Sequence, residues 1–377
     1  MKILYFINHK PFFVSHRLPI ALQMIRNGHM VHLLTGKSSD KIMEKYAKKI
    51  IKKNNIKSNE LNIDSSSLST FKNIINLYSS YKFIKKLNPD IIHSASMKAN
   101  IISGLCGILL RKPVVLAFSG FGYIFTENNL QMKIFKKIIA FLLKIIFLNN
   151  KKHIIVQNSY DLKFLKNNFN IKSNNITKLN GSGVPISKNL KIKNKKKIVL
   201  FPSRVLTHKG IIEFIEAATV LKKKYKNWKF LVVGSYKDNN PAALSKEYIK
   251  RIHRNKTVIF KSYTSKIKKY FLSSSIVCLP TYREGLPKSL IEACNNGLPI
   301  VTTNIPGCEL VVRNNYNGFK VPIKNVIDLT NKLEILIQSK VLRDKFGKNS
   351  FNIAKKYFDV NKIITKHILI YNKIYNA

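Results

Sequence analysis

Short apolar runs rich in β-branched residues alternate with longer stretches of helical periodicity along almost the whole chain. ILYFIN (3–8), MVHLLT (30–35), DIIHS (90–94), PVVLAF (113–118) and HIIVQN (153–158) have the length and composition of buried parallel strands. Between them, apolar residues recur at helical spacing near 16–27, 69–87, 97–111, 131–148 and 159–168. This alternation predicts a doubly wound, Rossmann-like sheet. A polar, lysine-rich segment, SKNLKIKNKKK (187–197), interrupts the pattern, which restarts with IVLFPS, KFLVVGS, TVIFKS, SIVCLP and LPIVTT. The predicted fold class is α/β, with one Rossmann-like domain over 1–187 and a second over 188–358. A last helical pattern near 360–375 lies beyond the second set of strands, so residues 359–377 are expected to pack back on the first domain. Open parallel sheets bind ligands beyond the carboxyl ends of their strands. Function is therefore expected in the strand-to-helix loops and in a cleft between two such domains facing each other.

Charge adds a partner to this picture. The chain carries 67 Lys and Arg against 18 Asp and Glu, a formal charge of +49. Nucleic acid, an acidic bilayer surface and phosphorylated small molecules all answer such a charge, as does a drift in composition that leaves the lysines merely solvated. The segment LQMKIFKKIIAFLLKIIFLNNKKH (130–153) sets Lys133, Lys136, Lys137 and Lys144 among bulky apolar residues and ends in Lys151 and Lys152. It reads as a basic amphipathic helix suited to an anionic membrane surface, or as a core helix with its lysines outward. No run reaches the roughly 18 apolar residues that span a bilayer. The N-terminal MKILYFINHKPFF has no small-residue cleavage site and reads as a strand rather than a signal peptide. Cys106, Cys278, Cys294 and Cys308 show no CxxC spacing and read as reduced core thiols of a cytosolic protein.

Candidate chemistry concentrates in the second domain. After the strand IVLFPS comes SRVLTHKG, which places Arg204 and Lys209 over a strand end beside the amides of a helix beginning near Gly210, a field suited to a diphosphate. After SIVCLPT comes a loop with Arg283 and Glu284, then Pro287 at a helix start, then Glu292 inside the helix. With the loop between them, the two carboxylates approach different parts of one ligand. Each accepts two hydroxyl donors, so sugar and ribose diols are natural partners. The alternative makes Glu284 a carboxylate favoured by the helix dipole and Glu292 a surface residue, but SLIEACNNGLPIV is an apolar setting in which a lone carboxylate is costly. The chain has no DxD, which many sugar transferases use to hold a divalent metal on a diphosphate, so cation duty falls on Arg204 and Lys209. It also lacks GxGxxG after the first strand, arguing against a dinucleotide oxidoreductase, and GxSxG.

SRVLTHKGIIEFIEAA, LVVGSYKDNNPAALS and PTYREGLPKSLIEACNNGLPIVTTNIPGCELVVRNNYNGFKV, in this order and spacing and with the E-x7-E signature, resemble the donor domain of family 4 glycosyltransferases. FFVSHRLPIA, DIIHSASMKANIISG and LAFSGFGYIF resemble, less sharply, the bacterial branch acting on undecaprenyl-diphosphate-linked sugars. The resemblance implies a GT-B fold and retaining, metal-independent transfer of a hexose or N-acetylhexosamine, without a cofactor, from a nucleotide-sugar, most commonly a UDP-sugar. The acceptor implied is a lipid-linked saccharide used in surface polysaccharide assembly, the setting the bacterial cytoplasm at the inner face of the plasma membrane. It makes the first domain acceptor-binding and the second donor-binding. Arg204 and Lys209 would neutralise the diphosphate and Glu284 would hold sugar hydroxyls. The backbone amides of the stretch Gly285, Leu286, Pro287 and Lys288 would approach the sugar and distal phosphate. Glu292 would hold the ribose diol, and Ser262 and Tyr263 the base. Ser262 stands where many members have Gly. His16 with Arg17, and Ser119 with Gly120, would stand in for acceptor-side and transition-state contacts that other members make with a Gly-Gly turn and a His, the alternative for His16 being a hydrogen-bonded residue at a helix start.

A nucleotide-sugar epimerase of the same fold would want acid and base groups beside the sugar, and the motif loops hold no such pair. A nucleic-acid binder would interleave aromatics with its basic groove, whereas Phe214 and Tyr225 fall at helical positions. No nucleic-acid partner is expected. A membrane scaffold without catalysis would leave Arg204, Lys209, Glu284 and Glu292 without purpose.

Overall fold

The computed structural model describes residues 1–38, 40–61, 70–120, 130–188, 190, 195–235, 242–255 and 257–376. The chain divides into two compact units, Met1–Ser182 with Asn361–Ala377, and Gly183–Val360.

The first unit holds β1 (Lys2–His9), β2 (Met30–Gly36), β3 (Lys57–Glu60), β4 (Ile91–Ala95), β5 (Val114–Ala117), β6 (Lys152–Val156) and β7 (Ile176–Lys178). They pair in parallel in the order β3-β2-β1-β4-β5-β6-β7. The period of two along β1 assigns its side chains to two cores. Leu4 and Phe6 enter one, with Ile84 of α4 (Thr70–Leu87), Ile102 of α5 (Met97–Leu109), Leu143 of α6 (Leu130–Ile146) and Leu165 of α7 (Ser159–Phe169). Ile3, Tyr5 and Ile7 enter the other, with Phe13 of α1 (Lys10–His16), Ile20 of α2 (Leu18–Arg26), Ile51 of α3 (Lys41–Lys53) and Tyr371 of α14 (Val360–Tyr375). The last helix thus contributes to the core of the first unit.

The second unit holds β8 (Ile198–Phe201), β9 (Lys229–Val233), β10 (Ile259–Lys261), β11 (Ile276–Leu279), β12 (Ile300–Thr303) and β13 (Gly318–Val321), parallel, in the order β10-β9-β8-β11-β12-β13. Helices α8 (Ile211–Lys224), α9 (Lys246–Arg254), α10 (Lys268–Ser273), α11 (Lys288–Asn295), α12 (Val326–Gln338) and α13 (Lys340–Tyr357) complete it. Side-chain oxygens start several of them: Ser245, Asn325 and Ser339 accept from the backbone amides of Tyr248, Asp328 and Leu342. All four cysteines are buried and free, as their spacing predicts.

Three differences from the sequence pattern have physical causes. The helix expected from residue 16 begins at Lys10 and is broken at Arg17 into α1 and α2. His9 caps the first piece by accepting from the Phe12 amide at 3.1 Å, and Pro11 and Pro19 occupy the opening turns of the two pieces. Strands β3, β7 and β13 escape the apolar pattern because each is short and lies at or beside a sheet edge, where solvent replaces one neighbour. Pro287 stands one residue ahead of α11 as its cap, rather than inside its first turn.

In each sheet the strand order reverses once, between β1 and β4 and between β8 and β11. Chains leave these neighbouring strands in opposite directions, opening a crevice beyond the strand ends. At the second reversal Gly210 turns the chain into α8 with φ +76°, and a Cβ there would stand 2.0 Å from the Pro280 carbonyl oxygen. Gly210→Ala is expected to destabilise the second unit by about 1–3 kcal/mol through backbone strain alone, and by more where Pro280 cannot yield. Urea unfolding midpoints of the purified variant measure this.

Candidate active site

The loops after β8 and β11 meet at the reversal of the second sheet. The β8 loop carries Arg204 and closes in a single 3-10 turn, Thr207–Lys209. The His208 carbonyl accepts two bonds from the β11 loop, from the Tyr282 amide at 2.9 Å and the Thr281 hydroxyl at 3.1 Å. From the other side, the Thr303 hydroxyl at the end of β12 donates to the Thr281 carbonyl. A Cβ on Gly307 would stand 2.1 Å from the Glu284 carbonyl oxygen, so the turn after β12 lies directly against the glutamate's backbone. The Glu284 segment is therefore fixed by strands on both flanks.

Within that frame the Lys209 ammonium forms an ion pair with the Glu284 carboxylate, with the two side chains 15% and 19% exposed. At that burial water screens the pair little. Between the cations lies His208, whose imidazole is pushed down to about 4 by burial first and then by Lys209 and Arg204, with Glu284 acting the other way. The imidazole is uncharged at neutral pH, and the fields of both cations converge on it. Arg204 itself is exposed at the strand end.

The first turn of α8 joins the same cluster. Tyr282 donates its hydroxyl to Glu213, and burial together with that carboxylate raises the phenol above its ordinary range. The Lys324 ammonium lies 5.4 Å over the Tyr282 ring. Gly285, Leu286 and Pro287 are buried in the turn leading to α11. Glu292 follows in the second turn of that helix, partly buried. Burial raises its carboxyl above the usual range and Lys288, one turn earlier, opposes the rise. A carboxyl so placed gains from hydroxyl donors that favour its ionised form.

Lys209 and Glu284 are thus in contact, and Arg204 shares their field at His208. Ser262 and Tyr263 lie elsewhere on the same sheet end, after the edge strand β10, two strands from β8, with Ser262 exposed and Tyr263 partly buried. His208, Tyr282, Glu213 and Gly307 went unrecognised as site residues. His208 is signalled by its position between two cations, whereas Gly307 acquires its place only through pairing of β11 with β12.

In the first unit the reversal between β1 and β4 brings Asn8 and Ser96 together, with the Ser96 hydroxyl donating to Asn8 Oδ1 at 2.5 Å. Ser96 has φ +91°, a strained value for a residue with a Cβ. His16 ends α1, stacked on Phe12 with centroids 4.3 Å apart, and its Nδ1 lies 2.5 Å from Ser15 Oγ. Arg17 is only 2% exposed, so its side chain lies in the core. Its Nε donates to His93 Nε2 at 3.2 Å and its Nη1 to the His16 carbonyl at 3.2 Å. Arg17 can support His16 from behind. Ser119 and Gly120 follow β5 and are partly buried, and the rest of the SGFG segment lies outside the described residues. Among the described residues, no three His, Cys, Asp or Glu side chains gather as a metal site.

The depressed imidazole at position 208 ties stability to acid. Its folded value, about 4, lies below its unfolded value near 6.5, so the unfolded chain takes up the proton first. Stability from this group is complete above about pH 6.5 and falls as the pH drops toward 4. His208→Asn is expected to flatten that part of the decline, measured as the difference between variant and parent in urea midpoints at pH 7 and pH 5.

Residues 185–352 match the family model described as glycosyl transferases group 1, and residues 2–158 match glycosyl transferase 4-like. A Campylobacter jejuni N,N'-diacetylbacillosaminyl-diphospho-undecaprenol alpha-1,3-N-acetylgalactosaminyltransferase is 30% identical over 82% of this chain and 84% of its own. An Escherichia coli UDP-Gal:alpha-D-GlcNAc-diphosphoundecaprenol alpha-1,3-galactosyltransferase is 26% identical over 81% and 82%. The crystal structure of Anabaena HepE with UDP and glucose superposes with TM-score 0.76 over 99% of this chain and 100% of that one, at 15% identity, which establishes the shared fold. The two reversed sheets are those of the GT-B fold, and the chain belongs to glycosyltransferase family 4.

Proposed function

We propose that the enzyme transfers a hexose or N-acetylhexosamine from a UDP-sugar to a lipid-linked saccharide in surface polysaccharide assembly, retaining the anomeric configuration and using no metal. The observation that carries this reading is the Lys209–Glu284 pair at the reversal of the second sheet, with Arg204 and His208 beside it. A nucleoside diphosphate adds negative charge where Lys209 and Arg204 converge. A sugar diol offers Glu284 hydroxyls in exchange for its ammonium partner, so donor binding replaces the internal ion pair with two ligand contacts. Such charge-assisted hydrogen bonds contribute about 1.5–3 kcal/mol each. The backbone of Gly285 to Lys288 borders the sugar and distal phosphate, Glu292 takes the ribose diol, and Ser262 and Tyr263 border the base.

The acceptor hydroxyl attacks the anomeric carbon on the face from which the diphosphate leaves. The new glycosidic bond forms as the bond to the diphosphate oxygen breaks, and the hydroxyl proton passes to a phosphate oxygen. Arg204 and Lys209 stabilise the charge growing on the leaving group, a fixed electrostatic arrangement that needs no protein nucleophile. His16, held from behind by Arg17, and Ser119 with Gly120 border the acceptor in the first unit. The lipid tail of that acceptor places the enzyme against the anionic inner face of a bacterial plasma membrane, which a charge of +49 favours.

Nucleotide release from UDP-, GDP- and ADP-sugars, with lipid-linked saccharides extracted from the native membrane, tests the reading. Release above the hydrolytic background should require both a UDP-sugar and the acceptor. Lys209→Ala and Glu284→Ala should each lower turnover at least about tenfold, equivalent to roughly 1.4 kcal/mol. Each single variant also leaves a partly buried charge without its partner, so the double variant should be more stable than the singles predict while staying inactive. Near-normal turnover in both folded single variants would overturn the assignment, and sugar inversion without release would make the protein an epimerase.

A further inference from the structure

Three helices of the first unit share one face of its sheet. Helix α5 packs against both α4 and α6, and all three bury apolar residues in the same core. Helix α6 buries Ile139, Leu143 and Ile146 there, yet its opposite side is also apolar: Ile134, Ile138 and Phe141, spaced i, i+4, i+7, are all at least half exposed. Helix α4 repeats the arrangement, burying Ile84 while exposing Ile74, Ile75 and Tyr78. Clustered exposed apolar side chains rimmed by charged ones mark an interaction surface. Among the described residues nothing in this chain covers the outer ones.

Position and charge say what does. In a parallel sheet each helix starts near the carboxyl end of the preceding strand, where ligands are expected. The α4 cluster lies in the N-terminal half of its helix, toward that side, and the α6 cluster spans the middle of its helix. Exposed lysines border them: Lys133, Lys137 and Lys144 on α6, and Lys82, Lys85 and Lys86 on α4. The Lys82 ammonium lies 4.7 Å over the Tyr78 ring. No Asp or Glu occurs anywhere in α4, α5 or α6. A second copy of the chain would set lysine against lysine across a self-complementary contact. Nucleic acid answers the lysines but gains nothing from exposed isoleucines. An anionic bilayer surface answers both: lysines meet headgroups and the isoleucines and Phe141 enter the acyl boundary. Among the described residues no helix is long and apolar enough to cross a membrane.

We propose that the outer faces of α4 and α6 together form a docking surface for an anionic lipid bilayer, which presents the strand ends of the first unit to a membrane-embedded acceptor. The surface stands on its own residues, and only its link to the acceptor rests on the proposed transferase reading.

The test is sedimentation of the full chain with phosphatidylcholine vesicles, with and without phosphatidylglycerol. The parent should bind only the phosphatidylglycerol vesicles and be released by salt. Ile134→Ser with Phe141→Ser should weaken binding at least about tenfold at low salt. Lys133→Glu with Lys137→Glu and Lys144→Glu should weaken it roughly a hundredfold. Both variants should keep the parent's thermal midpoint and its turnover on a short-chain, water-soluble acceptor. Failure of transfer in every protein would count against the proposed function and leave the vesicle result standing. Parent protein that ignores the anionic vesicles, apolar variants that bind them undiminished, or light scattering that shows a dimer broken by these substitutions would each overturn the docking surface.

Discussion

The site of the second unit depends on how closely the ends of β8 and β11 approach at the point where the strand order reverses. Neighbouring strands lie about 4.8 Å apart, so the loops leaving them share backbone bonds, and the His208 carbonyl collects two from the β11 loop. That approach requires Gly210, whose missing Cβ leaves room for the Pro280 carbonyl. It also sets the Lys209 ammonium against the Glu284 carboxylate. Elements on either side then fix the pair in place: β12 through Thr303 and Gly307, and the first turn of α8 through Glu213 and Tyr282. The backbone that carries both charges is therefore already in place, and only the side-chain contacts change when a ligand takes over the pair.

Scarcity makes the carboxylates informative. The chain holds only 18 acidic residues at a charge of +49. In the second unit Glu213 meets the Tyr282 hydroxyl and Glu284 the Lys209 ammonium at the β8–β11 reversal. In the first unit Glu44 and Glu60 gather around Lys10, which is almost fully buried at the carboxyl end of β1. Lys10 holds the Glu60 carboxyl below its usual range, assisted by Lys48. The excess positive charge lies largely on surfaces such as the outer faces of α4 and α6, where water and an anionic neighbour carry its cost.

What the sequence reveals follows the same division. Inner strands such as β1, β5 and β8 are apolar on both faces and stand out as nearly uninterrupted runs, so the two sheets are legible, as is the helix of residues 360–375. The polar KSNE of β3 has no such signature, because one of its sides faces solvent. At the site, Arg204, Lys209, Glu284 and Glu292 are legible because they follow strands and because acidic residues are few. Gly307 and Thr303 are not, since their roles arise from contacts across the sheet. Arg17 shows the opposite limit. Its place beside His16 reads as an acceptor-side contact, and only the fold shows that its side chain is enclosed.

Arg17 also explains how a buried charge is kept without a carboxylate. Its neighbours are two imidazoles and two phenols, with Tyr371 hydrogen-bonded to both Tyr5 and His93. Burial and the guanidinium lower His367 to about 3 and hold His93 well below its usual range, so both rings stay neutral. Burial likewise lowers Arg17 from its usual value, but an arginine begins so high that it remains charged. A lysine in its place, more strongly hydrated and easily neutralised, would lose the charge rather than keep it. Because Arg17 bonds the His16 carbonyl and His93, while His93 bonds Tyr371 of α14, one network connects the terminal helix to the junction between α1 and α2. The C-terminal helix is thus part of what positions His16, although more than 340 residues separate them in the chain.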